Sequence, residues 1–322
     1  MDGPHGNPRS AGTADGGTAS EHAVRAPRVP SLDALVAGTD RDGGDRAVDC
    51  VLSDVWGVLH NGVSAHAHAA GALRGARERG AAVVLVTNSP RPREGVAAQL
   101  EAIGVPREAY DRIVTSGDVT RRLIAAVPGP VCHLGPRRDL PLYEGTGASP
   151  RAEAEAEAIV CTGLVDDESE EPGDYAGRLE GLAKRDLPMI VANPDIVVER
   201  GDRLVWCAGA LGRLYRELGG ETRIAGKPHA PIYAAALAEA AEVLGHAPSR
   251  ERTLAIGDGM PTDVRGALDA GLPLLFVAGG IHAAEYGGAE ADPARLEAFL
   301  ASEGGRPTPA GGRIVGWMPH LG

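Results

Sequence analysis

Four short stretches hold the residues whose types and spacing can do chemistry: Asp54 in DVWGV, Thr87-Asn88-Ser89, Lys227 in AGKPH, and Asp258 with Asp263 in IGDGMPTD. Each follows an apolar run of strand length, and in open α/β sheets ligands sit at the carboxyl ends of strands. Their types fit one task. A carboxylate such as Asp54 can attack phosphorus to form an aspartyl phosphate, which divides one hard displacement into two easier ones. Nucleophile and phosphate are both anionic, so a cation has to lie between them. Magnesium prefers one or two carboxylates completed by backbone, water and phosphate oxygens. Asp54, the carbonyl of Trp56 and Asp258 are the candidate ligands, with Asp263 orienting metal-bound water from behind. The Thr87 hydroxyl and the N–H groups of the loop through Trp56 and Gly57 are candidates for holding the transferring oxygens. Lys227 would offset the charge shared by Asp54 and the phosphoryl group. Taken singly, each stretch also reads as an ordinary turn or cap. The order of all four, each at a strand end, carries the functional reading.

The elements that must position these residues follow from the apolar pattern. Strands are expected at Ala47 to Leu52, Ala81 to Val86 and Arg112 to Thr115, with helices at His66 to Arg79, Arg93 to Ile103 and Val119 to Ala126. Near-continuous apolar strands interleaved with helices predict a parallel sheet covered on both faces. The fold class is α/β. Near residue 128 the texture changes to short strands, several Pro and Gly and an acidic run, DDESEEPGD, read as a solvated loop. AEAEAEA is expected to form a surface helix, because Ala and Glu are helix formers. A second small α/β unit continues through a helix at Tyr175 to Lys184, a strand at Pro188 to Val191, a hairpin at Val197 to Cys207 and a helix at Leu211 to Leu218. The first texture returns with a strand at Arg223 to Ala225, a helix at Pro231 to Leu244, a strand at Thr253 to Ile256, a helix at Thr262 to Ala270 and a strand at Leu272 to Val277. A smaller domain at 128–220, inserted into a core of 31–127 and 221–322, explains this order.

The 322 residues exceed the usual size of a single core, in keeping with two domains. A net charge of -12 argues against nucleic acid or an anionic membrane as partner, since both need clustered Lys and Arg. The four cysteines, Cys50, Cys132, Cys161 and Cys207, lie far apart without a CxxC pair, and are read as buried thiols in a reducing cytoplasm. No apolar run approaches the roughly 18 residues that span a bilayer. Residues 1–30 are rich in Gly and polar side chains, lack the apolar stretch of a signal peptide, and are expected to form a disordered tail.

The arrangement resembles the haloacid dehalogenase-type (HAD) phosphohydrolases, in particular the class IIA branch, whose cap is inserted between the second and third motifs. GKP together with GDxxxxD is the most specific part, and the resemblance runs from about residue 31 to about residue 320. It implies a Rossmann-like doubly wound core with an inserted α/β cap. It further implies Asp54 as nucleophile, Thr87 and Asn88 as the second motif, Lys227 as the third, and Asp258 and Asp263 as the metal motif. Asn193-Pro194-Asp195 resembles a cap piece, with Asn193 and Asp195 expected at the cleft. Caps of this class choose the leaving group and often take part in dimer contacts, so a homodimer through the cap is expected.

One position departs from the family. The usual first motif is DxDGT or DxDGV, whose second Asp protonates the leaving group and then activates water; here that place is taken by Trp56, as in a branch of class IIA sequences carrying DVWGV. An indole N–H only donates hydrogen bonds, so Trp56 can do neither. General acid/base catalysis contributes about 10²- to 10⁴-fold. His60 has a suitable pKa to replace it, but reads first as a solvent-facing loop residue; His229 reads as a helix-start residue. Two functions stay open: a magnesium-dependent phosphatase of small phosphorylated metabolites, of the sugar or nucleotide monophosphate class, and a phospho-ligand-binding or regulatory protein that no longer turns over.

Overall fold

The computed structural model describes residues 26–37, 48–200, 203–287, 291–304 and 310–322. The first strands in chain order are β1 (Cys50–Ser53), β2 (Ala82–Thr87), β3 (Arg112–Thr115), β4 (Val131–Leu134), β5 (Ala158–Cys161) and β6 (Met189–Val191). They are followed by β7 (Val197–Arg200), β8 (Arg203–Trp206), β9 (Thr222–Ile224), β10 (Thr253–Gly257), β11 (Pro273–Val277) and β12 (Arg313–Met318). A six-stranded sheet in the order β12-β11-β10-β1-β2-β3 is parallel throughout. A second, four-stranded sheet runs β4-β5-β6-β9, also parallel, and β7 and β8 form an antiparallel ribbon.

Side-chain alternation explains why the large sheet is covered twice. Val51, Val83, Leu85 and Ile256 face one way, against helices Leu32–Val36, Ala67–Glu78 and Arg93–Ala102. Leu52, Val84, Val86 and Ala255 face the other, against helices Ala230–Leu244, Arg265–Asp269 and Pro293–Gly304. Successive strand residues point to opposite faces, so runs that are apolar at every position have to be buried on both. This is a Rossmann-like doubly wound core. The smaller sheet has its own apolar layers, one of them formed by Ile159, Cys161, Met189 and Val191 against Leu179, Leu211 and Tyr215.

Three expectations are corrected. AEAEAEA makes a single tight turn at Glu153–Glu155 rather than a helix. Its backbone is tied beside β4, where Arg151 N–H donates to Val131 O and Glu157 N–H to Pro130 O, which leads the chain directly into β5. Pairing to the sheet here outweighs the helix propensity of Ala and Glu. Next, β9 does not belong to the large sheet: Thr222, Arg223 and Ile224 pair with Met189, Ile190 and Val191 of β6, so the chain returns to the large sheet after residue 224. Finally, residues 26–30 of the expected tail are packed, with Ala26 and Val29 buried and Val29 N–H donating to Trp317 O at 2.8 Å. Residues 1–25 lie outside the described residues, as does Ala47.

All four cysteines are buried without a disulfide, and burial pushes the thiols of Cys50 and Cys161 up to about 12 and that of Cys132 to about 11. No helix among the described residues is long and apolar enough to cross a membrane.

The helix Leu32–Val36 closes one face of the sheet, with Leu32 fully buried and its N–H donating to Gly322 O. Leu32→Ala is expected to lower stability by about 2–4 kcal/mol, measured by urea unfolding, and a loss below about 1 kcal/mol would show that this segment is not part of the core.

Candidate active site

The register of the large sheet decides which side chains meet. Ser53 lies opposite Ile256, so the residues leaving β1 and β10 emerge side by side, and Asp54 N–H donates to Ile256 O at 2.8 Å. Asp54 follows β1, and Asp258 follows β10. Beyond Asp258 the chain makes a wide turn in which the N–H groups of Asp263 and Val264 both donate to Gly259 O, at 2.8 and 3.0 Å. The regular helix therefore spans only Arg265–Asp269 rather than starting at Thr262. The turn brings Asp263 back over the strand end, where its Oδ2 accepts the Gly259 N–H at 3.1 Å.

One carboxylate oxygen from each of Asp54, Asp258 and Asp263 lies within 4.8 Å of the others, and all three residues are buried. Lys227, 4% exposed, reaches into the group, with Nζ 2.6 Å from Asp54 Oδ1 and 2.7 Å from Asp263 Oδ1. Burial alone would depress the lysine's pKa, but Asp263 and Asp54 outweigh it and hold the ammonium well above its ordinary range. Burial, with Asp263 alongside, raises Asp54 well above the usual carboxylate range and Asp258 to about 6. The pressure against ionisation shows that one ammonium does not offset the charge that three carboxylates would carry together. A buried, all-oxygen donor set with that excess suits a hard divalent cation.

Two glycines press on Asp258. A Cβ at Gly57, whose φ is +79°, or at Gly280 would overlap the Asp258 carboxylate. The same carboxylate accepts the Ile281 N–H at 2.8 Å. Gly280 and Ile281 were not singled out from the sequence, although Ala278-Gly279-Gly280 follows an apolar strand just as the four recognised stretches do.

The other expected site residues divide. Thr87 and Asn88 are buried at the end of β2; Thr87 Oγ1 accepts the Ser89 N–H at 3.2 Å, and Asn88 Oδ1 accepts the Lys227 N–H at 2.7 Å. Trp56 is 37% exposed and stands edge-on to His60, with ring centroids 5.1 Å apart. Its ring lies over Gly62, where a Cβ would come within 2.5 Å of Cη2. His60 departs from the solvent-facing expectation. It is 2% exposed, hence not solvent-facing, and its Nδ1 accepts the Gly62 N–H at 2.8 Å. Burial, with His66 nearby, lowers its pKa to about 4, so the ring is neutral at physiological pH with its basic nitrogen occupied. Those are the properties of a strut in the loop. Asn193 and Asp195 are also engaged rather than free at a cleft: Asn193 Oδ1 accepts the Asp195 N–H at 3.0 Å, and Asp195 Oδ1 accepts from Asn88 Nδ2 at 2.9 Å. His229 directly precedes helix Ala230–Leu244 without a side-chain capping bond.

Fold and site together define a Rossmann-like enzyme core with a carboxylate cluster at its strand ends. Family models agree: residues 51–148 match a haloacid dehalogenase-like hydrolase model and residues 224–299 a HAD-hydrolase-like one. The chain is 48% identical to a haloacid dehalogenase-like hydrolase from Brucella suis 1330, over 88% of this chain and 100% of that one, with a TM-score of 0.75. It is 27% identical to D-glycerol 3-phosphate phosphatase of Mycobacterium tuberculosis, over 79% of this chain and 69% of the relative. A structure of the glycerol phosphate phosphatase from that organism in complex with magnesium matches at 26% identity, over 77% of this chain and 73% of the other, with a TM-score of 0.57. The chain belongs to the haloacid dehalogenase-like hydrolase family, in its class IIA branch.

A metal-free test of the cluster follows from the direction of the Asp258 shift. Its folded pKa, about 6, lies above the ordinary 3.8, so its contribution to stability is present below about 3.8 and is lost as pH rises through about 6. Asp258→Asn keeps an acceptor for Ile281 and removes the charge. In chelator at about pH 8 the variant is expected to melt above wild type by an amount worth about 1–3 kcal/mol, and the two should converge near about pH 4. Adding magnesium should raise the wild-type melting temperature and leave the variant nearly unchanged. A variant that melts lower in chelator, or gains as much from magnesium, would overturn this account of the cluster.

Proposed function

We propose that the protein is a magnesium-dependent phosphohydrolase of small phosphorylated metabolites, working through an aspartyl phosphate on Asp54. The observation that carries this reading is the Lys227 ammonium held between Asp54 and Asp263, with Asp258 completing the cluster. The relatives support it in kind, since they include a D-glycerol 3-phosphate phosphatase and a glycerol phosphate phosphatase solved with magnesium. Asp54, Asp258 and the Trp56 carbonyl would hold the metal, with Asp263 behind them, and bound magnesium would neutralise charge on the transferring group. Asp54 attacks phosphorus as the bond to the leaving oxygen breaks, while Lys227 balances the charge of the carboxylate and the phosphoryl group. Thr87, Asn88 and the loop at Trp56 and Gly57 border the phosphoryl position. Water then cleaves the aspartyl phosphate and restores Asp54. The inserted unit, from about residue 128 to the end of β9, selects the leaving group.

Proton transfer is where this chain differs. Trp56 has no useful pKa, and a neutral His60 whose Nδ1 already accepts a hydrogen bond offers no substitute. Leaving-group acidity should therefore govern the rate. The same observation favours the second reading, a phospho-ligand-binding or regulatory protein, and turnover separates the two.

With magnesium, p-nitrophenyl phosphate or an acyl phosphate is expected to turn over faster than a sugar phosphate by about 10²- to 10⁴-fold, with a burst of one equivalent as the aspartyl phosphate accumulates. Intact-mass measurement would show the adduct. Asp54→Asn should abolish turnover, and Lys227→Ala should reduce it sharply. Alkyl and aryl esters turned over equally without a burst would mean that another group manages the proton. Full magnesium-dependent turnover by Asp54→Asn would overturn the mechanism, and phosphate binding without turnover in the wild type would favour the binding protein.

A further inference from the structure

Both amide hydrogens of Asn88, which follows β2 of the large sheet, are used, and its partners Lys227 and Asp195 follow β9 and β6 of the smaller one. Its Oδ1 accepts the Lys227 N–H at 2.7 Å, while its Nδ2 donates to Lys227 O at 3.2 Å and to Asp195 Oδ1 at 2.9 Å. Asn88 thus grips the backbone of Lys227 on both sides, much as a neighbouring strand would. The grip is close: a Cβ at Gly226 would lie 2.5 Å from Asn88 Oδ1 and 2.7 Å from Pro194 Cδ. The chain carrying the lysine passes between the end of β2 and the turn after β6.

Asp195 is fastened at its own backbone to the smaller unit. Its N–H donates to Asn193 Oδ1 at 3.0 Å, and its carbonyl accepts from Gly209 at 3.1 Å, in the first turn of helix Ala208–Glu217. Next to it, Ile196 O accepts the Cys207 N–H at 2.9 Å across the base of the β7–β8 ribbon. Only the side chain leaves that unit, and it ends on Asn88 of the larger one. Lys227 Nζ is the far end of this chain of contacts, at Asp54 and Asp263.

We infer that Asp195 is a positioning residue: by holding Asn88 it fixes the Lys227 backbone, so the placement of the ammonium depends on how the smaller unit is seated. The inference rests on the reading of Lys227 as the phosphoryl-site cation, and it changes the meaning of Asn193-Pro194-Asp195. The Asp195 Oδ1 that would otherwise meet substrate is bonded to Asn88. A cation displaced by about 1 Å from a reacting phosphoryl group costs up to roughly 10²-fold in rate. The effect belongs in kcat, because Asp195 reaches the reacting atoms only through Asn88.

Two measurements on full-length protein test this. The Lys227 N–H, followed by Pro228 which has none, can be followed by hydrogen exchange in the peptide that contains it. Asp195→Ala is expected to speed that exchange by about tenfold or more. The same variant should lower kcat on p-nitrophenyl phosphate by roughly 10- to 100-fold, with KM within about threefold of wild type. Asp195→Asn, which still offers an acceptor to Asn88, should restore both. Asn88→Ala combined with Asp195→Ala should be no worse than Asn88→Ala alone, since both act on one path. Should Asp195→Ala fail to fold, Asp195→Ser, with a hydroxyl too short to reach Asn88, gives the same comparison. Unchanged exchange, a raised KM with kcat intact, or losses that multiply in the double variant would each overturn the inference. If wild type turns over no phosphate ester at all, the proposed function fails, and the exchange measurement alone decides whether Asp195 holds Lys227.

Discussion

The structure depends on a buried ammonium held between two buried carboxylates. Lys227, Asp54 and Asp263 are all nearly closed off from water, and removing ions from water is costly unless they pair with good geometry. The contacts of 2.6 and 2.7 Å supply that geometry. The sheet provides the means: strands β1 and β10 lie side by side in matched register, so their exit residues have no choice but to meet. Asp258 adds a third carboxylate whose charge the lysine does not offset, and that excess suits the cluster to a cation.

The loop after Asp54 is organised around the aromatic pair of Trp56 and His60. Trp56 stands on His60, His60 accepts the Gly62 N–H, and Gly57 N–H donates to His60 O at 2.8 Å. These contacts stiffen the turn that carries the Trp56 carbonyl, using groups that neither gain nor lose a proton near neutrality. The loop is held by contacts and not by charge.

Much of this was legible from residue order, because the large sheet writes its burial directly into the sequence. Strands buried on both faces read as unbroken apolar runs, and the polar residue that ends each one announces the site; Asp54, Thr87 and Asp258 were visible for that reason. Lys227 was visible too, but not its dependence on Asn88, which lies 139 positions away in the sequence. Short strands in the smaller unit were harder. β9 has only three residues, none fully buried, and it pairs with a strand distant in the sequence, β6. AEAEAEA misled because propensity is local and the bonds to Pro130 and Val131 are not. His60 misled because a histidine in a glycine loop looks exposed until the ring that covers it is placed.

The two glycines over Asp258 bear on how such a chain can drift. Gly57 and Gly280 belong to different loops, one after β1 and one after β11, and neither has room for a methyl group while Asp258 keeps its place. A change at either displaces the carboxylate, and a change at the other cannot compensate. Trp56 is partly open to solvent, although its ring leaves no room for a Cβ at Gly62. The seat of Asp258 depends on two backbone segments far apart in the chain, each of which has to stay without a side chain.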